Sequence, residues 1–223
     1  LVVHGGALIY MGGAWARADA AVAALQTGCE AWSVDYRVPP DHPYPAAVDD
    51  VVAAYRAALA TRAARHIAIS GPSAGGNLAA AATLKARDLG LPLPGALGLL
   101  TPECDLTESG DSFVTNRDID NVLPAPLPEE IAVYADGADL RDPYLSPLFG
   151  DFSRGYPPTY VQSGTRDLFL SNSVRMHRAL RNAGITAELH VWESMPHGGF
   201  GFAAPENAEA QREFDTFLEK HLA

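Results

Sequence analysis

The stretch GPSAG at residues 71–75 places one serine between two glycines, directly after the apolar run HIAIS and directly before the alanine-rich segment AGGNLAAAATLKARDL. The apolar run is typical of a buried strand, and the alanine-rich segment is typical of a helix. A G-x-S-x-G motif in this context predicts a sharp strand-to-helix turn, with the serine hydroxyl at the carboxyl end of the strand. The motif therefore constrains the chain to the α/β class, because it requires a sheet whose strands are followed by helices.

The rest of the chain repeats this pattern of short apolar runs and helical segments. Strands are predicted at 1–3, 31–36, 66–70, 96–101, 159–164 and 187–192, and helices at 15–27, 45–61, 74–89, 170–183 and 206–222. Continuous apolar runs are typical of parallel strands that are buried on both faces. We therefore predict a single α/β domain over residues 1–223, with a mostly parallel sheet that helices cover on both faces.

Residues 103–157 interrupt the alternation. This segment is rich in proline and acidic residues, and it contains one predicted helix near 128–135. Ligands of open α/β sheets bind at the carboxyl ends of the strands, so we expect this insert to form a partial cap over that crevice. Four acids at its start match no metal-ligand spacing, and we expect them in a solvated loop: Glu103, Asp105, Glu108 and Asp111.

The composition argues against several classes of partner. The formal net charge of −11 disfavours nucleic acid, because phosphate binding needs clustered lysine and arginine. No apolar run approaches the length that spans a bilayer, so we expect no membrane insertion. The two cysteines, Cys29 and Cys104, form neither a disulfide framework nor a C-x-x-C motif. The acidic balance by itself selects no partner.

A serine hydroxyl becomes a nucleophile when a base accepts its proton and an acid orients that base. His197, in MPHGGF, comes just after the last predicted strand, and it therefore lies at the same sheet edge as Ser73. Asp167, in SGTRD, follows the strand at 159–164 in the same way. We predict a triad in the order Ser73, Asp167, His197, which occurs on sheets of this type. Glu193 is the alternative acid, because it is nearer to His197 along the chain.

The sequence HGGA at residues 4–7 predicts the third part of such a site. Acyl transfer places a negative charge on the former carbonyl oxygen, and preorganised N–H donors stabilise that charge. Gly5 and Gly6 follow the first predicted strand, and Ala74 follows the candidate nucleophile. We predict that the N–H groups of these three residues form an oxyanion hole. His4 is expected to brace the loop rather than to transfer protons.

Together these motifs resemble those of the hormone-sensitive-lipase-like family of α/β-hydrolases, which includes many microbial carboxylesterases. The resemblance extends over nearly the whole chain, through HGGA, DYRVPPDHPYPAAVDD, GPSAGGNLA, TPECDLTESGDS, DPYLSPLF, SGTRD and MPHGGF. It implies an α/β-hydrolase fold and a serine carboxylesterase that hydrolyses short-chain esters through an acyl-enzyme, without metal or organic cofactor. It also implies a homodimer that pairs through the open edge of the last strand.

The chain departs from the family pattern in three places. Ala7 replaces the last glycine of the usual HGGG, and Pro72 replaces the usual Asp or Thr before the serine. We expect both changes to leave the oxyanion donors in place. The family normally begins with a helical cap and two further strands, which are absent here. We therefore expect upstream sequence, or another chain, to cover the edge formed by strand 31–36.

Other functions remain compatible with these residues. An amidase, a peptidase or a lactonase would use the same triad, because all of them carry out acyl transfer. A non-catalytic small-molecule receptor on the same fold is the alternative from a different class. Such receptors usually lose a member of the triad, and all three candidates are present here.

Overall fold

The computed structural model describes residues 1–201 and 204–222, and these form six strands and seven helices. The strands are Val2–Val3 (β1), Ser33–Val34 (β2), Ala68–Pro72 (β3), Ala96–Leu100 (β4), Thr159–Gly164 (β5) and Ala187–Trp192 (β6). The helices are Ala14–Thr27 (α1), Ala46–Leu59 (α2), Ala74–Asp88 (α3), Ser112–Thr115 (α4), Pro128–Ala135 (α5), Leu170–Asn182 (α6) and Pro205–Leu222 (α7). None of the helices in these ranges is long and apolar enough to cross a membrane.

The six strands form one sheet in the order β2-β1-β3-β4-β5-β6, and every neighbouring pair is parallel. In the central pair, Ala68 lies opposite Ala96 and Pro72 lies opposite Leu100. Because all the strands run in one direction, their carboxyl ends lie at one edge of the sheet. The predicted α/β class with a parallel sheet is confirmed.

Helices cover both faces of the sheet, as the side chains of β4 show. Leu97 and Leu99 belong to the main core, which also contains residues of α2, α3 and α6. Ala96 belongs to a second cluster, together with Phe214 and Phe217 of α7. Successive side chains of a strand point to opposite faces, so both faces of β4 are covered by apolar residues. This double burial explains why the strand sequences are continuously apolar.

The predicted elements agree with the structure best at the centre of the sheet and at its far edge. Strands β5 and β6 have the predicted bounds, and α1 ends at the predicted residue, before Gly28 in a left-handed conformation with φ of 67°. The predicted strand 31–36 is paired only over Ser33–Val34, because its neighbour β1 extends only over Val2–Val3. The length of an edge strand thus depends on its partner, which its own residues do not specify.

Residues 103–157 leave the sheet after β4 and return to it at β5. The expectation of a solvated loop is wrong for two of the four acids at the start of this insert. Glu103 and Asp105 are fully buried, whereas Asp111 is exposed. Asp105 forms an ion pair with Arg175 of α6 at 2.6 Å. The insert thus contacts α6 through Asp105, and no local sequence pattern marks this acid as internal.

Glu103 is buried without any compensating contact. Neither of its carboxyl oxygens has a hydrogen-bond partner among the described residues. Burial raises the pKa of Glu103 well above its usual value of 4.5, and the nearby acids Glu108 and Glu130 raise it further. The folded protein therefore keeps this proton over a pH range in which the unfolded chain has lost it. The contribution of Glu103 to stability is complete below about pH 4.5 and decreases as the pH rises.

We expect Glu103→Gln to raise the melting temperature at pH 7 and to leave it unchanged near pH 4, because the neutral amide removes the cost of ionisation. In a chain of this size, about 1 kcal/mol corresponds to about 2–4 °C. Thermal unfolding followed by circular dichroism at both pH values checks this. Glu129→Gln is the control, because Glu129 is exposed. Identical melting temperatures of the wild type and Glu103→Gln at pH 7 would contradict the account.

Candidate active site

Ser73 lies in the turn between β3 and α3, at the carboxyl edge of the sheet. Its backbone has φ of 55° and ψ of −122°, a strained conformation that residues other than glycine rarely adopt. The Ser73 N–H donates to the Leu100 carbonyl oxygen at 2.8 Å, and the N–H groups of Gly76 and Asn77 donate to the Ser73 carbonyl oxygen. The sharp turn that the motif predicts is therefore present and is held by backbone bonds on both sides.

The glycines of the motif let the first strand approach this turn. A Cβ atom added at Gly71 or at Gly75 would overlap the carbonyl oxygen of Val3. Only glycine leaves room for this approach of two backbones. The approach also brings the loop after β1 beside the serine, since a Cβ atom added at Gly5 would lie 3.6 Å from the Cβ atom of Ser73.

His197 lies between Ser73 and Asp167 and contacts both of them. Its Nε2 is 2.9 Å from Ser73 Oγ, and its Nδ1 is 3.0 Å from Asp167 Oδ1. The residue is only 8% exposed, and the ring of Phe169 packs edge-on against the imidazole at a centroid distance of 4.9 Å. The carboxylate favours the tautomer with a proton on Nδ1, which leaves Nε2 free to accept the proton of Ser73.

Asp167 is fully buried, and both of its oxygens accept hydrogen bonds. Besides His197, the N–H of Phe169 donates to Oδ1 at 2.9 Å, and the hydroxyl of Ser163 donates to Oδ2 at 2.6 Å. These donors fix the orientation of the carboxylate. Glu193 is exposed, and in the described part of the chain its carboxylate accepts a hydrogen bond from Ser194. The structure thus brings Asp167, rather than Glu193, to the imidazole.

The three candidate oxyanion donors lie on the two segments that flank Ser73. Ala74 is the first residue of α3, and Gly5 and Gly6 belong to the loop that packs against the turn. Gly6 has φ of 111°, and its carbonyl oxygen accepts the N–H of Tyr10 at 2.8 Å, which folds the loop tightly. Within the described residues, no carbonyl or side chain accepts the N–H groups of these three residues. Their N–H groups are therefore available to bind an anion.

His4 packs against Tyr36 and bonds to the loop that contains Gly5 and Gly6. Its ring stacks on Tyr36 with a centroid distance of 4.0 Å, and its Nδ1 lies 2.7 Å from the Gly5 carbonyl oxygen. The Tyr36 hydroxyl donates to the His4 carbonyl oxygen at 3.2 Å. Burial lowers the pKa of His4 below 6.5, although the bond to Gly5 opposes this change. A neutral, stacked imidazole suits the bracing role that the sequence predicted.

Three polar residues around the site were not identified from the sequence. Asn116 and Asp120 of the insert bond to the turns that carry Asp167 and His197, and Ser163 of β5 bonds to Asp167 itself. No sequence signal marks Asn116 and Asp120, because they lie in an irregular segment without hydrophobic periodicity. Ser163 lies in a predicted strand four residues before Asp167, where a polar side chain was a usable signal.

Asp120, Asp167 and His197 also form the one group of metal-ligating side chains in the described ranges whose ligand atoms lie within 4.8 Å of one another. Both oxygens of Asp120 accept backbone N–H bonds, and Asp167 Oδ1 contacts the imidazole. A cation would have to displace these donors. The contacts fit a hydrogen-bond network better than a metal centre.

A parallel sheet with a serine at a strained strand-to-helix turn, facing a histidine in the loop after the last strand, defines the α/β-hydrolase class. Residues 1–201 match the family whose model is described as alpha/beta hydrolase fold. The chain belongs to this family.

Individual relatives make this assignment more specific. An acetyl-hydrolase of Streptomyces hygroscopicus is 36% identical over 172 residues, which cover 76% of this chain and 57% of the relative. The crystal structure of esterase E25 is 41% identical, with a TM-score of 0.93 over all of this chain and 70% of that one. EstE7, a hormone-sensitive-lipase homologue from a metagenome library, is 36% identical with a TM-score of 0.93, covering all of this chain and 78% of its own. The chain thus belongs to the hormone-sensitive-lipase-like family of α/β-hydrolases that its motifs resemble, and it spans little more than half the length of the acetyl-hydrolase.

Proposed function

We propose that this protein hydrolyses carboxylic esters of small molecules, with Ser73 as nucleophile, His197 as base and Asp167 as orienting acid. The observation that carries the proposal is the unbroken hydrogen-bond chain from Ser73 Oγ through the imidazole to the buried carboxylate. Relatives described as an acetyl-hydrolase and as esterases support the same class of reaction.

The first step forms the acyl-enzyme. The Ser73 oxygen bonds to the ester carbonyl carbon while its proton moves to His197 Nε2, and the carbonyl π electrons move onto the oxygen. The N–H groups of Gly5, Gly6 and Ala74 bind the resulting oxyanion. Asp167 stabilises the imidazolium. The carbon–oxygen bond to the alcohol then breaks, and His197 gives its proton to the leaving oxygen.

The second step releases the acid. A water molecule attacks the acyl carbon while His197 Nε2 takes a proton from that water. The same N–H groups bind the second oxyanion. The bond between the acyl carbon and the Ser73 oxygen then breaks, and the proton on Nε2 returns to the serine. The protein ends unchanged, because the proton that Ser73 lost to the alcohol is replaced by one from the attacking water, and His197 relays both protons.

We propose esters with short acyl groups as the substrates. A relative described as an acetyl-hydrolase supports this choice. Amides, peptides and lactones would undergo the same attack, but the relatives reported above are described as esterases or an acetyl-hydrolase. A receptor without catalysis would not need an imidazole bonded to both serine and carboxylate, so the intact hydrogen-bond chain favours an enzyme.

We expect Ser73→Ala to lower kcat/KM for p-nitrophenyl acetate by about 10³-fold or more, because the nucleophile is removed. The measurement is initial-rate hydrolysis of p-nitrophenyl esters with acyl chains from C2 to C12. Ser153→Ala is the matched control, because Ser153 is exposed on the insert and its hydroxyl bonds to Asp151, far along the chain from Ser73. A Ser73→Ala variant as active as this control would refute the proposal.

Asp167→Asn and Glu193→Gln compare the two candidate acids by the same chemical change. We expect Asp167→Asn to lower kcat by about 10⁴-fold, since an amide at this position no longer favours the proton on Nδ1 of His197. Glu193→Gln is expected to retain wild-type kcat, because Glu193 is exposed and does not contact the imidazole. Steady-state kinetics of both variants check this assignment. The opposite ranking would transfer the role to Glu193.

A further inference from the structure

Asp120 is a buried carboxylate that the reaction described above does not use. Asp120 is 1% exposed, and each of its carboxylate oxygens accepts hydrogen bonds from two backbone N–H groups. Oδ1 accepts the N–H groups of Val122 and Leu123, at 2.9 and 3.1 Å, within its own loop. Four N–H donors satisfy the carboxylate without any cation.

The other oxygen of Asp120 connects two loops that are distant along the chain. Oδ2 accepts the N–H of Leu168 at 2.9 Å and the N–H of His197 at 3.1 Å. Leu168 directly follows Asp167. One oxygen atom of Asp120 therefore bonds both to the turn that carries Asp167 and to the backbone of His197. The separation of these two turns therefore depends on a side chain that belongs to neither of them.

Two further side chains of the same segment hold the turn of the acid. The amide of Asn116 donates to the carbonyl oxygen of Asp167 at 2.8 Å, and the hydroxyl of Ser112 donates to the carbonyl oxygen of Leu168 at 2.7 Å. Asn116 also accepts the N–H of Asp120 at its own carbonyl oxygen. These three residues at 112, 116 and 120 form one clamp, which we call the insert clamp. Ser112 and Asn116 donate hydrogen bonds to the turn that carries Asp167, and Asp120 accepts one from it.

We propose that Asp120 is a positioning residue, which holds the Asp167–His197 pair at hydrogen-bonding distance and thereby sets kcat. The proposal rests on the proposed function. The physical reason is that the His197 loop carries a buried N–H whose acceptor is Asp120. Without that acceptor the N–H must find water or move, and a displacement of about 1 Å at a catalytic group costs about 10²-fold in rate.

Asp120→Asn tests this role with little change in side-chain shape. An amide offers one acceptor oxygen, so its NH₂ group must face either the N–H groups of Val122 and Leu123 or those of Leu168 and His197. We expect kcat for p-nitrophenyl acetate to fall by about 10²-fold, with KM within about twofold of wild type. Asp118→Asn is the control, because Asp118 is exposed in the same loop and its φ of 62° suits asparagine.

A spectroscopic readout separates positioning from general destabilisation. We expect the proton between His197 Nδ1 and Asp167 to give a far-downfield proton NMR signal in the wild type, because this buried hydrogen bond joins an imidazole to a carboxylate. We expect Asp120→Asn to shift or broaden this signal while near-UV circular dichroism stays native. A native fold with an unchanged signal and unchanged kcat would overturn the proposal.

The outcomes distinguish the two proposals. If the wild type hydrolyses esters, Ser73→Ala does not, and Asp120→Asn matches Asp118→Asn, then the proposed function stands and the role of Asp120 is refuted. If the wild type hydrolyses no ester, the proposed function fails, and the NMR signal alone decides the role of Asp120. If Asp120→Asn does not fold, Asn116→Ala replaces it, since that change removes the amide that donates to the carbonyl oxygens of Asp167 and Thr165 and keeps the backbone bond to Asp120. A tenfold loss of kcat in Asn116→Ala supports the insert clamp, and wild-type kcat overturns it.

Discussion

The hydrogen bond between His197 Nε2 and Ser73 Oγ joins side chains 124 positions apart, and it spans four of the six strands of the sheet. The serine follows β3 and the histidine follows β6, with β4 and β5 between them. Three strand spacings amount to about 14 Å. The loop after β6 must therefore reach back across the carboxyl edge, and the contacts that hold this loop decide whether the imidazole meets the serine.

Two sets of contacts hold the loop after β6 in this position. From the sheet, the turn after β5 packs directly under the loop: a Cβ atom added at Gly164 would overlap the carbonyl oxygen of Met195, and Asp167 from the same turn contacts the imidazole. From the insert, Asp120 accepts the N–H of His197. The insert, which its place after a strand of the sheet predicted to be a partial cap, thus also contacts the candidate base, and in our proposal it affects the chemistry.

The meeting of Ser73, Asp167 and His197 was predictable because each residue follows an apolar run, and a parallel sheet brings the carboxyl ends of all such runs to one edge. Asp120 was not predictable, since the insert has no periodicity that would indicate which of its side chains point inward. The same lack of pattern explains why Glu103 was expected in solvent and is buried. Local periodicity indicates where the strands and helices lie. The burial of side chains in irregular segments depends instead on the surfaces onto which those segments fold.

The most direct test of this convergence is to map the site of reaction with a fluorophosphonate by tandem mass spectrometry of the intact, native protein. The account predicts a single phosphonylated residue, Ser73, and a strongly reduced rate of labelling in His197→Gln, because the imidazole is the group that activates the hydroxyl. Labelling of a different serine, or labelling of Ser73 at the same rate without the imidazole, would contradict it.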